Sequence, residues 1–122
     1  MLRDGLQGYF KKDIATLCIL ALLDGSEELY GYELMQRMEA FSEGRFVLPE
    51  GTLYPILYRL EEQGYVLSEK RLVGKRMQRV YYRLSQSGKA FYRQMADVYA
   101  SVTDGAQRIL ARSHGEEAKP DA

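Results

Sequence analysis

The stretch that decides the fold is LPEGTLYPILYRLEEQG, residues 48–64. Its apolar residues recur at i, i+3, i+4 and i+7 and predict one buried stripe of an amphipathic helix, formed by Leu53, Ile56, Leu57 and Leu60. Thr52 is expected to cap this helix, which would leave Pro55 in the first turn, where its missing N–H costs little. Gly64 is expected to end the helix in a left-handed conformation.

The opposite side of this helix carries a polar and aromatic set, formed by Thr52, Tyr54, Tyr58 and Arg59. A helix that reads DNA presents such side chains near its N-terminus. Glu61 and Glu62 follow, and phosphate would repel their negative charge, so the contact surface is expected to end before them. The sequence leaves open which of the two tyrosines faces DNA and which packs inward.

A second helix is predicted just upstream, from Gly31 to about Phe41, with a buried side formed by Leu34, Met35, Met38 and Phe41. Residues 42–44 (SEG) break it. Two helices joined by a short glycine-containing turn, the second with an exposed polar face, form the helix-turn-helix pattern. An apolar helix over residues 14–23 precedes both and is expected to lie in the core.

After residue 64 the apolar residues no longer recur at helical spacing but alternate with polar residues, as they do in a strand. Residues 65–73 and 79–84 predict the two strands of a hairpin. Their link carries Lys75 and Arg76, and Arg79 follows directly. A hairpin with a basic tip after a recognition helix is a wing, whose cations would meet phosphates or a narrow minor groove. An ordinary solvated hairpin is the alternative.

A last helix is predicted over residues 88–112, with an apolar seam formed by Phe91, Met95, Val98, Val102 and Ile109. An apolar face this wide at the chain end predicts pairing with the same helix of a second copy, which makes the seam a homodimer interface. The alternative is that the helix folds back on its own domain. Residues 113–122 are polar and are expected to be disordered.

The sequence therefore predicts a mainly α fold with a small β-hairpin. Residues 1–87 would form a winged helix-turn-helix domain whose N-terminal arm, residues 2–12, packs on a partner chain or frays, and 88–112 would form a dimerisation helix. The 122 residues have a net charge of zero, but the charge is sorted along the chain. Residues 14–44 carry −5, whereas residues 45–90 carry +5 and include the predicted DNA-reading helix within residues 48–64.

Composition argues against an enzyme and against a membrane protein. One cysteine, Cys18, and one histidine, His114, cannot build a disulfide or a zinc site within one chain, and no nucleophile–histidine pair is expected. No phosphate-cradling glycine motif is present either, so neither a cofactor nor a metal is expected. The apolar run of residues 14–23 is too short to span a bilayer and lacks a cleavage pattern, which favours a cytoplasmic location.

Several motifs taken together resemble the PadR family of transcriptional regulators. They are GYEL at residues 31–34, PEGTLYPILYRLE at 49–61, Gly64, RVYYRLS at 79–85 and Gly88. The resemblance covers about residues 10–90. It implies a winged helix-turn-helix homodimer that binds double-stranded DNA at a near-palindromic operator and usually represses.

By this resemblance, DNA contacts fall on Thr52, Tyr54, Tyr58, Arg59, Lys75, Arg76 and Arg79, and Tyr32 would reach phosphate. Some family members bind planar hydrophobic compounds between the terminal helices of the dimer, using a tryptophan. This chain has no tryptophan, and Tyr92 or Tyr99 would have to take its place. Zero net charge and the pair Glu61–Glu62 motivate the alternative, a winged-helix module that binds protein or a ligand and not DNA.

Overall fold

The computed structural model describes residues 14–113, so the predicted arm and most of the predicted tail lie outside the described residues. The elements follow the order α1 (14–24), β1 (Leu29–Tyr30), α2 (Gly31–Phe41), α3 (Glu50–Glu62), β2 (Val66–Val73), β3 (Met77–Leu84) and α4 (Gln86–Ser113). The chain divides into two compact units, one ending at Tyr92 and the other beginning at Arg93. None of the helices described is long and apolar enough to cross a membrane.

The core of the first unit is built from one face of each helix and the inner face of the sheet. The predicted stripe of α3 is buried at all four positions, and α1 contributes Ile19, Leu20 and Leu23. Val66 and Tyr82 close the core from the sheet side. Burial raises the pKa of Tyr82 to about 12, so its hydroxyl stays protonated at neutral pH.

The N-terminus of α3 differs from the prediction. The helix begins at Glu50 with Pro49 as its N-cap residue, and Thr52 lies in the first turn and makes no capping bond. Because the helix starts early, Pro55 is its sixth residue and lies beyond the first turn. Pro55 therefore has no N–H to donate to the carbonyl of Gly51, and α3 tolerates the loss of one ladder hydrogen bond.

The C-terminus of α3 confirms the expected glycine stop. Gly64 has a φ of 83°, a left-handed conformation that costs glycine little. The Tyr65 N–H donates to the Leu60 carbonyl at 2.9 Å, and the Gly64 N–H donates to the Glu61 carbonyl at 3.0 Å. This pair of bonds is a Schellman motif, which turns the chain sharply into β2.

Phe41 is a second departure. Leu34 and Met38 of α2 are buried as expected, but the Phe41 side chain is 72% exposed. Phe41 is the last residue of α2, where the helix runs past the end of the core. Its ring lines the rim of a cavity of about 510 Å³ between α1 and α2, together with Cys18 and Phe46. Partial burial raises the pKa of the Cys18 thiol, which keeps it unreactive.

The hairpin is present, and it belongs to a sheet that the sequence did not reveal. β3 begins at Met77, two residues before the expected start, and the turn holds Gly74 at a φ of 72°. The sheet has the order β1-β3-β2, with both pairings antiparallel. Leu29 of β1 pairs with Tyr82 of β3, so the segment between α1 and α2 forms an edge strand.

The start of α4 is fixed against the end of α3. The Gly88 N–H donates to the Ser85 hydroxyl oxygen at 3.0 Å, so Ser85 caps the helix, and Ser85 in turn donates to the Gly64 carbonyl. Phe91 stacks on Tyr65 of its own chain at 4.2 Å between ring centroids. The first two turns of α4 thus belong to the winged domain's unit.

Gly88→Ala is expected to destabilise the protein by about 2 kcal/mol through overpacking. A methyl group at position 88 would lie 2.0 Å from the Tyr65 carbonyl oxygen, which is backbone and cannot move aside cheaply. Chemical denaturation measures the effect. Gly51→Ala is the matched control, because position 51 is open, and it should be neutral or slightly stabilising. Equal stability of the two variants would contradict the close approach.

Candidate nucleic-acid interface

The turn between α2 and α3 orders the two helices. Glu43 and Gly44 both have positive φ, at 56° and 82°, which reverses the chain within a few residues. The Ser42 hydroxyl accepts a hydrogen bond from the Phe46 N–H at 2.8 Å, and Leu48 is buried just before α3 begins. The result is the predicted helix-turn-helix, with α3 in the position of the recognition helix.

The four predicted contact residues of α3 lie on two different sides of the helix. Tyr54 and Tyr58 are one turn apart, and their ring centroids are 6.1 Å from each other. Thr52 and Arg59 are seven residues apart, which returns them to nearly the same direction, on the other side. Tyr58 from one side and Arg59 from the other are both exposed, and together they flank the outer surface of α3.

The two tyrosines of α3 differ in burial. Tyr54 is half-buried, and its hydroxyl lies so close to Gly31 that a methyl group there would be 2.0 Å from the oxygen. Burial, and then the nearby charge of Glu50, raise the pKa of Tyr54. The Tyr58 side chain, by contrast, is 56% exposed. Tyr54 therefore packs against the start of α2, and Tyr58 is the tyrosine available at the surface.

The second side of α3 faces a small cavity. Arg59 lines a space of about 210 Å³ together with Thr16, Gln63 and Phe91. Glu61, on the side of the tyrosines, accepts a hydrogen bond from the Ser68 hydroxyl of β2. The acidic end of α3 is therefore tied to the hairpin, while the Arg59 guanidinium lies at the edge next to α1.

The start of α2 presents Tyr32 to solvent, at its second residue. Just before it, the Tyr30 N–H donates to the Glu33 carboxylate at 3.1 Å, which satisfies one of the free donors at this helix end. Tyr32 thus lies in a capped first turn of α2, with its side chain exposed. The structure does not bring it into contact with the tyrosines of α3.

The wing, formed by β2, β3 and the turn 74–76, carries cations in two different environments. Lys75 and Arg76 are exposed at the tip. Arg71 instead donates to the carboxylates of Glu28 and Glu69, at 2.7 Å from Nη2 to Glu28 Oε1 and 2.9 Å to Glu69 Oε1. These bonds lower the pKa of both carboxyl groups and raise that of Arg71. The positive charge of Arg71 is therefore balanced by two carboxylates. The sequence does not predict the pairing with Glu28, because Glu28 is 43 residues away.

The environment of Arg79 is intermediate between that of the exposed tip and that of the ion-paired Arg71. It is half-buried, and the central carbon of its guanidinium lies 4.3 Å from the ring centroid of Tyr30. Arg71 has a similar contact with Tyr81, at 4.5 Å. Both arginines are thus on the sheet face that looks away from α3.

Lys70 is a further wing cation, and it is not among the predicted contact residues. It pairs in register with Val80, and alternation from the buried Val66 places it on the side of the sheet that carries α3. Its side chain is exposed. The sequence contains the pattern that predicts this position, because residues 66, 68 and 70 of one strand share a face and Val66 is an apolar residue expected to be buried.

The second unit consists, among described residues, of α4 from Arg93 onward. Met95 is half-buried, whereas Val98 is 62% exposed, and Tyr99, Val102 and Ile109 are exposed too. Asp104 and Arg108 form an ion pair on the opposite, polar side of the helix, at 2.9 Å. Tyr92, the last residue of the first unit, is half-buried. Over residues 14–113, no cluster of histidine, cysteine and acidic residues could hold a metal.

Comparison with known proteins identifies the family. A model described as the transcriptional regulator PadR-like family matches residues 19–94, which span α2, the turn, α3 and the wing. The chain belongs to the PadR family. PadR-family proteins are transcriptional regulators, so the prediction of a regulator that is not an enzyme is confirmed.

Relatives of this PadR-family chain support the same assignment. A transcriptional regulator of Mycobacterium tuberculosis is 41% identical over 63 residues, which are 52% of this chain and 55% of that protein. A PadR family transcriptional regulator from Eggerthella lenta is similar in structure, with a TM-score of 0.78, 26% identity, and coverage of 89% of this chain and 92% of that one.

A third similar structure is Bacillus subtilis PadR, crystallised in complex with operator DNA. Its TM-score is 0.63 at 23% identity, and the match covers 68% of this chain and 46% of that one. At this identity the likeness establishes the shared fold. The predicted winged helix-turn-helix is therefore confirmed in this PadR-family chain by its own elements and by its relatives.

Proposed function

We propose that this PadR-family chain is a homodimeric repressor that binds a palindromic operator through α3 and the wing. The observation that carries the proposal is the placement of exposed Tyr58 and Arg59 on the outer surface of α3, followed by a wing with an exposed basic tip. Zero net charge does not oppose it, because the cations are concentrated in the half of the chain that holds these elements.

In this mechanism, the two α3 helices of a dimer enter successive major grooves about 34 Å apart. Polar and aromatic side chains of α3 contact base edges and give specificity, with Thr52, Tyr58 and Arg59 as the outermost and Tyr54 supporting them from the side. Lys75, Arg76 and Arg79 of the wing contact phosphates and supply affinity, and Tyr32 adds a phosphate contact at the start of α2. Lys70 adds an exposed cation on the sheet face that carries α3, whereas Arg79 lies on the opposite face, against Tyr30 at the start of α2.

The dimer is proposed to form through α4. Its exposed apolar side chains from Val98 to Ile109 would be costly in water and lie on one face, whereas the ion pair of Asp104 and Arg108 marks the other. Two copies that pair these faces remove them from solvent. Phe91, at the start of the predicted seam, already stacks on Tyr65, so we place the main interface at Met95, Val98, Val102 and Ile109.

A small aromatic or hydrophobic effector is the proposed signal. Tyr92, at the end of the first unit, or Tyr99, in the second, offers an aromatic ring on which a flat compound would stack. Binding there would favour a dimer in which the two α3 helices no longer match the groove spacing, and the operator would be released.

A gel-shift assay with the DNA upstream of the protein's own gene, repeated over a salt series, tests the proposal. We expect the upstream fragment to bind much more tightly than random DNA, with an affinity that falls steeply as salt rises. Affinity no better than for random DNA, with no salt dependence, would overturn it and favour a winged-helix module that binds protein.

Arg59→Ala is expected to weaken binding to the upstream fragment about tenfold, because a base-contacting arginine is lost. The dimer, measured by sedimentation, should remain intact, since Arg59 lies on α3. Arg112→Ala at the end of α4 removes the same charge from an exposed position and is the matched control. If both variants bind equally well, Arg59 has no contact with DNA.

A further inference from the structure

The outer face of the sheet carries a continuous row of contacting side chains, here called the outer row: Arg79, Tyr30, Tyr81, Arg71 and Glu28. Arg79 stacks on Tyr30 at 4.3 Å, and Tyr30 contacts Tyr81 edge-on at 5.5 Å between centroids and 73° between planes. Arg71 lies 4.5 Å from the centroid of Tyr81 and donates to Glu28. The row therefore joins the wing to β1 through side chains as well as through the backbone ladder.

The two arginines of the outer row are register partners on β2 and β3, but they differ in charge balance. Arg71 is paired with two carboxylates, Glu28 and Glu69. Arg79, among the described residues, forms no ion pair within 4 Å, and its contact is the aromatic face of Tyr30. A guanidinium stacked on a ring keeps its N–H donors in the plane, pointing outward and available to an anion. Arg71 therefore anchors the row, and Arg79 is its uncompensated cation.

The ring that holds Arg79 is itself fixed. Tyr30 pairs with Tyr81 across the sheet, and its N–H is engaged by Glu33 in the first turn of α2. Tyr30 is also the N-cap residue of α2, directly before Gly31. The position of the Arg79 guanidinium is thus set relative to the start of α2, where Tyr32 is exposed, and not only relative to the wing tip.

We propose that Tyr30 is a positioning residue for DNA binding, which holds the Arg79 guanidinium ready for a backbone phosphate at the junction of the wing and α2. The proposal rests on the proposed function, DNA binding by α3 and the wing. An arginine that the Tyr30 ring already holds in place loses less conformational entropy when it binds phosphate. The ring therefore increases the affinity for DNA.

A double-mutant cycle on the upstream DNA fragment tests this role. Tyr30→Leu is expected to weaken binding about threefold to fivefold, the worth of an exposed cation–π contact, and Tyr30→Phe should bind as the wild type does because it keeps the ring. In the Arg79→Gln background, Tyr30→Leu should have no further effect. A Tyr30→Leu effect of the same size in both backgrounds would show a general structural role and overturn the proposal.

Arg79→Lys is a second variant. It keeps the charge but loses the flat guanidinium, so binding should weaken about threefold with an unchanged salt slope. Wild-type affinity of Arg79→Lys would overturn the proposal, as would wild-type affinity of Arg79→Gln. Those results would leave the proposed function intact if the wild type binds the fragment specifically. Failure of the wild type to bind would overturn both.

Discussion

Val98→Asp is expected to yield a folded monomer whose affinity for the upstream fragment is about a hundredfold lower than that of the wild type, because bivalent attachment is lost. Val98 is 62% exposed in the single chain, so an aspartate is harmless there. In a paired α4 interface, the same carboxylate would be removed from water without a partner, which strongly disfavours association. Sedimentation analysis reports the dimer, and gel-shift titration reports the affinity.

Ala100→Asp is the matched control for this variant. It introduces the same charge two residues further along α4, a rotation that carries it toward the polar side with Asp104. This variant should stay dimeric and active. If Val98→Asp is instead a fully active dimer, α4 pairs through another face or not at all, and the proposed interface is wrong.

Replacing Lys75 and Arg76 together by glutamine is expected to lower the salt slope of operator binding by about two units, and the affinity at low salt about a hundredfold. Both side chains are exposed at the wing tip, and neither has an ion pair among the described residues. Each phosphate contact releases close to one counterion. The dependence of the logarithm of affinity on the logarithm of salt concentration therefore counts phosphate contacts, and a change in protein stability does not alter that count.

The control pair for the wing tip is Lys89→Gln with Arg93→Gln, which removes two exposed cations from α4. Net charge changes equally in both double variants, so a general electrostatic effect would appear in both. A salt slope that falls equally in the two would show that the wing tip makes no localised phosphate contact.

Most of the fold could be predicted because its signals are local. The stripe of α3, the glycine at its end and the alternation of the hairpin each depend on residues within one or two turns. The errors are also local in origin. Thr52 is predicted as a cap because it is a good capping residue, but the helix begins earlier. Extended Pro49 occupies the N-cap position without a side-chain bond, and its carbonyl accepts from the N–H groups of Thr52 and Leu53. Phe41 was assigned to the core from its spacing alone, although the helix ends at that residue.

The candidate interface was predicted less completely, because it depends on contacts between distant segments. Arg71 contributes to the positive charge of residues 45–90, but its hydrogen bonds to Glu28, 43 residues away in sequence, balance that charge. Strand β1 has two residues, too few for an alternation of apolar and polar side chains to be recognised. The sequence therefore does not predict that Tyr30, whose ring contacts Arg79, belongs to the sheet. The inward packing of Tyr54 depends on Gly31 in another helix, and spacing within α3 could not separate it from Tyr58.

The two-residue strand β1 also constrains the order in which this domain can become structured. Leu29 and Tyr30 are synthesised before the recognition helix, yet their partners on β3 emerge only after the hairpin has turned. Until β3 has been synthesised, Leu29 and Tyr30 have no strand to pair with. The pairing of β1 with β3 then joins residues that are far apart in the sequence of the domain. Such non-local closure slows folding and makes it cooperative. A nascent chain that ends before β3 therefore contains the whole helix-turn-helix but lacks the strand that joins its first helix to the wing.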